Sequence, residues 1–132
     1  MPTIFTRIIN GELPSYKIAE TEDFIAFLDI RPMRPGHTLC VPKKEVDYIF
    51  DLEPQLHAGL MEFARRIALA IEPEVECSRI AVAVLGLEVP HAHVHLVPIR
   101  TEKDMRFGRS IEIEPAEMER LAEAIAARVV LD

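Results

Sequence analysis

Apolar positions change their period several times along this chain, and the changes mark out its elements. Ile4, Phe5, Ile8 and Ile9 recur at helical spacing between Thr3 and Asn10, predicting a short helical turn that buries all four, and Asn10-Gly11 supplies turn chemistry that ends it. Strand-length runs follow. Tyr16 to Ala19 and Asp23 to Leu28 flank the acidic tip Glu20-Thr21-Glu22, the pattern of a hairpin. Arg31-Pro32-Met33-Arg34-Pro35-Gly36 is then a rigid excursion whose Pro-Gly pair fits a type II turn, delivering His37 to the mouth of a strand that runs through Val41. From Pro54 onward Leu56, Leu60, Phe63, Ala64, Ile67, Ala68 and Ile71 predict a long helix stopped by Pro73, with His57 beside the stripe and facing solvent. Arg79 to Leu85 predicts a further strand. A second helix opens at Pro115 and carries Met118, Leu121, Ala122, Ile125 and Val129 on one face. Elements segregated in this way indicate an α+β domain with an antiparallel sheet.

One segment carries more than structure. In Pro90-His91-Ala92-His93-Val94-His95-Leu96-Val97-Pro98, three of the five histidines occupy alternate positions. Alternate side chains of a strand project from one face, with same-face Cβ atoms roughly 6.5–7 Å apart, so His91, His93 and His95 form a row while Ala92, Val94 and Leu96 turn toward a core. Packing explains three aligned imidazoles poorly. Such a row suits a metal site, a neutral imidazole attacking phosphorus with neighbours that orient it, or passive anion binding near the ordinary histidine pKa of about 6.5. Spacing alone does not choose among these. Neither cysteine neighbours the row, and Glu88, beyond Pro90, is the one acid close by.

Composition narrows the field. The length of 132 residues fits one domain, residues 1–132, and the 49% apolar and 28% charged fractions are ordinary for a globular protein. No apolar run approaches the roughly 18 residues a membrane span needs, and Met1 to Arg7 has no signal-peptide apolar region. Cys40 and Cys77 form neither a close pair nor a metal-like cluster, and Cys40 reads as a small core residue. The expectation is a reduced, cytoplasmic protein with no membrane partner. A net charge of −7 argues against a nucleic-acid groove, which needs an extended basic surface.

The wider text does choose. His-Ala-His-Val-His followed by Leu-Val fits the pattern His-φ-His-φ-His-φ-φ, and Ile8-Ile9-Asn10-Gly11-Glu12-Leu13-Pro14, Phe27-Leu28-Asp29-Ile30-Arg31-Pro32 and Pro35-Gly36-His37-Thr38-Leu39-Cys40-Val41-Pro42-Lys43-Lys44 accompany it in order. Together these segments resemble the histidine triad (HIT) family of nucleotide-binding hydrolases and transferases over roughly residues 3 to 98. The resemblance implies a five-stranded antiparallel sheet with a long helix packed on it, a C-terminal helix and a homodimer. It also implies action at the α-phosphorus of purine nucleotide phosphoramidates, esters or anhydrides, without a cofactor. His93 matches the nucleophile that forms a nucleotidyl-histidine, His95 the residue that contacts phosphate oxygens, and His37 and His91 the supporting positions. Asp29 matches the acid that takes the ribose hydroxyls, and Ile4, Phe5, Phe27 and Ile30 the purine pocket. Two rivals are a binding-only nucleotide sensor and a metalloprotein using His91, His93 and His95 with His37.

Departures from the pattern carry their own expectations. Many members hold a structural zinc with two N-terminal cysteines, a histidine after Pro-Lys-Lys and the first triad histidine; those places read Thr3, Thr6, Glu45 and His91, which predicts no structural zinc. The usual Gln-Ser or Gln-Thr pair before the triad is Leu87-Glu88. Leu87 cannot donate to a phosphate, and an ionised Glu88 repels one, whereas a Glu88 with a raised pKa could serve as a proton donor.

Overall fold

The structure, a computed structural model, describes residues 2–132. The first helix, α1 (Ile4–Ile9), has six residues, too few to hold by itself. Thr3 caps it by accepting from the Thr6 N–H, and Phe5 anchors it. A helix this short lying on a sheet buries one narrow stripe, so Ile8 and Ile9 are half-covered and Ile4 stays 46% exposed, against the expectation that all four would be buried.

Strands β1 (Lys17–Glu20), β2 (Phe24–Leu28), β3 (Thr38–Pro42), β4 (Arg79–Ala83) and β5 (Val94–Ile99) form one antiparallel sheet in the order β1-β2-β3-β5-β4. The last strand in sequence thus enters between β3 and β4. Every residue of β2 and β3 is buried because both faces of the sheet are covered there. On one face lie α2 (Pro54–Ile71) and α3 (Pro115–Ala126), packed over Ala26, Leu28, Cys40, Ala92, Val94 and Leu96. Leu60, Ile67, Ile71 and Ile125 are completely enclosed between these layers, each stabilising the fold by roughly 1.5–3 kcal/mol. The opposite face carries a smaller cluster of Phe5, Ile25, Phe27, Leu39 and Val41 under α1.

Several element ends shift from their predicted places. Pro73 does stop α2, in a short turn of 3₁₀ helix at Glu72–Glu74. The strand expected over Arg79 to Leu85 ends at Ala83, and the histidine strand begins at Val94, so His91 and His93 precede it. The ladders explain this: pairing ends at Cys40–Val94 and Ala83–His95. Upstream, Pro90 has no N–H to donate, the His91 N–H turns back to Val89 O and the Ala92 N–H goes to Val46 O. His57 is half-buried rather than solvent-facing, stacked on Phe50 at 6.1 Å. Cys40 is a core residue, and burial pushes its thiol pKa upward. Among the described residues no helix is long and apolar enough to cross a membrane.

Candidate active site

The sheet face that carries α1 also carries the histidines. His95 stands opposite Leu39, which stands opposite Phe27, so these side chains share that face. Although β5 covers only His95, the extended lead-in keeps the expected alternation: Ala92, Val94 and Leu96 enter the main core, while His91, His93 and His95 are 0%, 6% and 9% exposed on the other side.

Their protons can be assigned from fixed donors. The Met33 N–H donates to His37 Nδ1 at 3.0 Å, so that nitrogen holds a lone pair and the proton of neutral His37 sits on Nε2. His37 Nε2 lies 2.9 Å from His95 Nδ1 and donates to it, which places the His95 proton on its own Nε2. His93 has the opposite tautomer: its Nδ1–H donates to His91 O at 2.7 Å and Nε2 keeps its lone pair. Adjacent rings 4.9 Å apart therefore present one acceptor and one donor. His91 points elsewhere, donating from Nε2 to Pro42 O at 2.8 Å and accepting at Nδ1 from Thr3 Oγ1 at 2.7 Å.

Burial holds these rings neutral. It lowers His37 to a pKa of about 4 and His95 to about 3, with the neighbouring imidazoles adding to the effect. His91 and His93 are lowered by burial too, each opposed by the backbone carbonyl its ring bonds. Asp29 lies 3.5 Å from His37 Nε2 and accepts from the Arg31 N–H at 2.9 Å; burial nevertheless raises its pKa.

A model of the HIT domain matches residues 10–102. The chain belongs to the HIT family. It is similar to adenosine 5'-monophosphoramidase hnt1 of Schizosaccharomyces pombe, 32% identical over 98% of this chain and 99% of that one. It is also similar to protein hit of Bacillus subtilis, 32% identical over 96% and 93% of the two chains. Among solved structures, a Zn-bound histidine triad family protein from Mycobacterium smegmatis superposes with a TM-score of 0.80 at 32% identity, covering 94% of this chain and 92% of that one.

The HIT resemblance named a purine pocket, and its members fall in two groups. Phe5 and Phe27 pack together at 5.7 Å, and Phe5 also sets its ring 4.9 Å from His93 and 5.8 Å from His91. Ile4 and Ile30 are open, Ile30 at 70% exposure. Glu88 is exposed as well, so the site has no desolvated acid at that position; its charge acts on both His93 and Asp29. Phe107 was not legible as a site residue. Its ring meets His95 edge-on at 5.0 Å, held there as the Arg106 N–H contacts Met33 Sδ and the Ile111 N–H donates to Pro32 O. One aromatic residue in the polar stretch Thr101 to Arg109 was the only available signal.

Neither histidine cluster suits a metal. Asp29, His37 and His95 bring one ligand atom each within 4.8 Å of the others, but the lone pair of His37 Nδ1 takes the Met33 N–H and that of His95 Nδ1 takes His37. An ion there breaks the bond that sets the His95 tautomer. The four-histidine metal reading also loses His91, whose two ring nitrogens are both engaged. At Thr3, Thr6, Glu45 and His91 the donor set is two neutral hydroxyls, one carboxylate and one committed imidazole, which does not fit zinc.

Proposed function

We propose that this chain, acting as a single HIT domain over residues 1–132, hydrolyses or transfers the nucleotidyl group of purine nucleotide phosphoramidates, esters or anhydrides. The opposed tautomers of His93 and His95 carry this reading. His93 Nε2 attacks the α-phosphorus as the bond to the leaving group breaks, while His95 Nε2–H donates to a phosphoryl oxygen. The leaving group departs with the bonding electron pair and takes a proton from solvent. Water then attacks the phosphorus and gives up a proton to solvent, the P–N electron pair returns to His93 Nε2, and the nucleoside monophosphate is released. His37 holds the tautomer of His95, and His91 supplies the carbonyl that orients His93. Asp29 faces the ribose hydroxyls, and Ile4, Phe5, Phe27 and Ile30 receive the purine. Glu88 stands at the mouth as a negative charge that disfavours polyphosphate leaving groups.

The test is intact-mass analysis after mixing with an AMP or GMP phosphoramidate. A nucleotidyl adduct on the native chain that is absent from His93→Ala is the expected result; bound nucleotide with no adduct and no turnover replaces this reading with the binding-only one.

A homodimer belongs to the same proposal. Strand β4 is an unpaired edge, and beside it Tyr48, Phe50, Met61, Val84, Leu85 and Leu87 line a cavity of about 520 Å³. Leu87 is 89% and Phe50 70% exposed, a contiguous apolar surface of the kind that marks an interface. Leu87 serves that face, which accounts for an apolar residue at a position read as polar in the family. Light scattering should give twice the chain mass, and Val82→Lys on the β4 edge should give the single mass.

A further inference from the structure

We infer that Glu45 and Thr3 are positioning residues for His93, a role that rests on the reading of His93 as nucleophile. The route is a chain of hydrogen bonds in which each direction is forced. Glu45 Oε1 accepts from the Thr3 N–H at 2.8 Å and from Thr6 Oγ1–H at 2.7 Å. With the Thr6 proton committed to Glu45, Thr3 Oγ1 accepts from the Thr6 N–H at 3.1 Å and keeps its own proton free to donate. It donates to His91 Nδ1 at 2.7 Å, the only sense available, because the other ring nitrogen of His91 already donates to Pro42 O. His91 is fully enclosed, and its carbonyl receives the His93 Nδ1–H. A solvent-exposed carboxylate on the loop after β3 is thereby joined to the buried nucleophile through three residues.

A second grip comes from the same cluster. Thr3 is the cap of α1, and α1 is too short to stand without being tied down. Glu45 ties it, which sets Phe5 edge-on against His93, at 4.9 Å and 78°. His93 is thus fixed at Nδ1 by the His91 carbonyl and across its ring by Phe5, and both supports lead back to Thr3 and Glu45. Losing the Thr3 hydroxyl strands a buried acceptor on His91, and relieving it shifts the ring together with the backbone that holds it, loosening the His91 carbonyl that selects the His93 tautomer.

The experiment uses the full chain with Thr3→Val, Thr3→Ser, Glu45→Ala and Glu45→Gln, read by imidazole ¹H–¹⁵N correlation spectra and by steady-state kinetics on AMP phosphoramidate. The native spectrum should show His93 as a single Nδ1–H tautomer. Thr3→Val and Glu45→Ala should show mixed tautomers, with kcat lowered about tenfold and KM within about twofold. Thr3→Ser, which keeps the hydroxyl, and Glu45→Gln, which keeps an acceptor oxygen, should recover most of both signals. Glu45 is exposed, so its variants test the chain even if Thr3→Val does not fold. An unchanged His93 tautomer and kcat in Glu45→Ala overturns the inference, as does an equal loss in Glu45→Gln. If the native protein shows no turnover the proposed reaction fails by itself, and the tautomer spectra still decide whether this chain positions His93.

Discussion

Lowering the pH should unfold this protein through its buried imidazoles, and the size of the effect follows from His37 and His95. Both are depressed in the folded state, to about 4 and about 3, against an unfolded value of 6.5. Between those limits the unfolded chain binds protons that the folded chain refuses, so the stability they contribute is fully present above the unfolded value and falls as pH drops. Taken alone, each imidazole costs about 2 kcal/mol between about pH 7.5 and about pH 5, with a local slope near pH 5 of roughly 1.2 kcal/mol per pH unit. His91 and His93 are depressed in the same sense and add to it. Asp29, raised by burial, works in the opposite sense: the folded carboxyl takes up its proton at a higher pH than the unfolded one, which offsets part of the loss as pH falls through its raised folded value. Urea unfolding across this range should show the midpoint falling steeply below about pH 6.5, and His95→Asn should remove about one proton's worth of the slope. A flat profile from about pH 7.5 to about pH 5, or one unaltered in His95→Asn, refutes the claim that these rings are held neutral by burial.

Phe107→Ala uncovers the His95 ring, so an NMR titration should find its pKa well above about 3; an unmoved value means the Phe107 ring contributes nothing to its desolvation. Converting Leu87 and Glu88 to Gln and Ser removes a negative charge that acts on His93, and kcat/KM for dinucleoside polyphosphates should rise about tenfold, measured beside a phosphoramidate that changes less. Gly36 has φ +91°, and an added Cβ meets Val75 at 3.1 Å, Pro98 at 3.2 Å and Ile71 at 3.3 Å; Gly36→Ala should cost more than about 1 kcal/mol in urea melts and disturb adjacent His37. Elemental analysis should give far less than one zinc per chain, and a stoichiometric, chelator-resistant ion would contradict the donor set at Thr3, Thr6, Glu45 and His91.

Most of the elements were legible because local period and stop signals agree with the fold: the α2 stripe and Pro73, the α3 stripe after Pro115, and the hairpin that pairs β1 with β2. The alternation in His91 to Leu96 likewise foretold which side chains enter the core. What the residues did not reveal depends on partners distant in sequence. The start of β5 is set by where its ladder with β3 ends, the end of β4 by where its ladder with β5 ends, and the tautomer of His95 by a ring 58 positions earlier. The cluster of Thr3, Thr6 and Glu45 was visible only as a departure from a metal pattern, because hydroxyls and one carboxylate have no spacing of their own. Phe107 lacked any periodic context, and its contact exists only because the backbone beyond β5 folds back onto Pro32 and Met33.

The strand order has a consequence for how the molecule comes apart. Strands β1, β2 and β3 form one meander, β4 and β5 a separate hairpin, and Thr38–Leu96, Leu39–His95 and Cys40–Val94 join them by a ladder shorter than its neighbours on either side. His37 belongs to the first unit and His95 to the second, so their 2.9 Å bond bridges a seam between two pieces of sheet. Fluctuations that part the seam separate donor from acceptor before either piece loses its own pairing. Amide exchange should therefore be faster at the β3–β5 ladder than within β2–β3 or β4–β5, and a nucleotide gripping both banks should slow it there most, making substrate the clasp that closes the sheet.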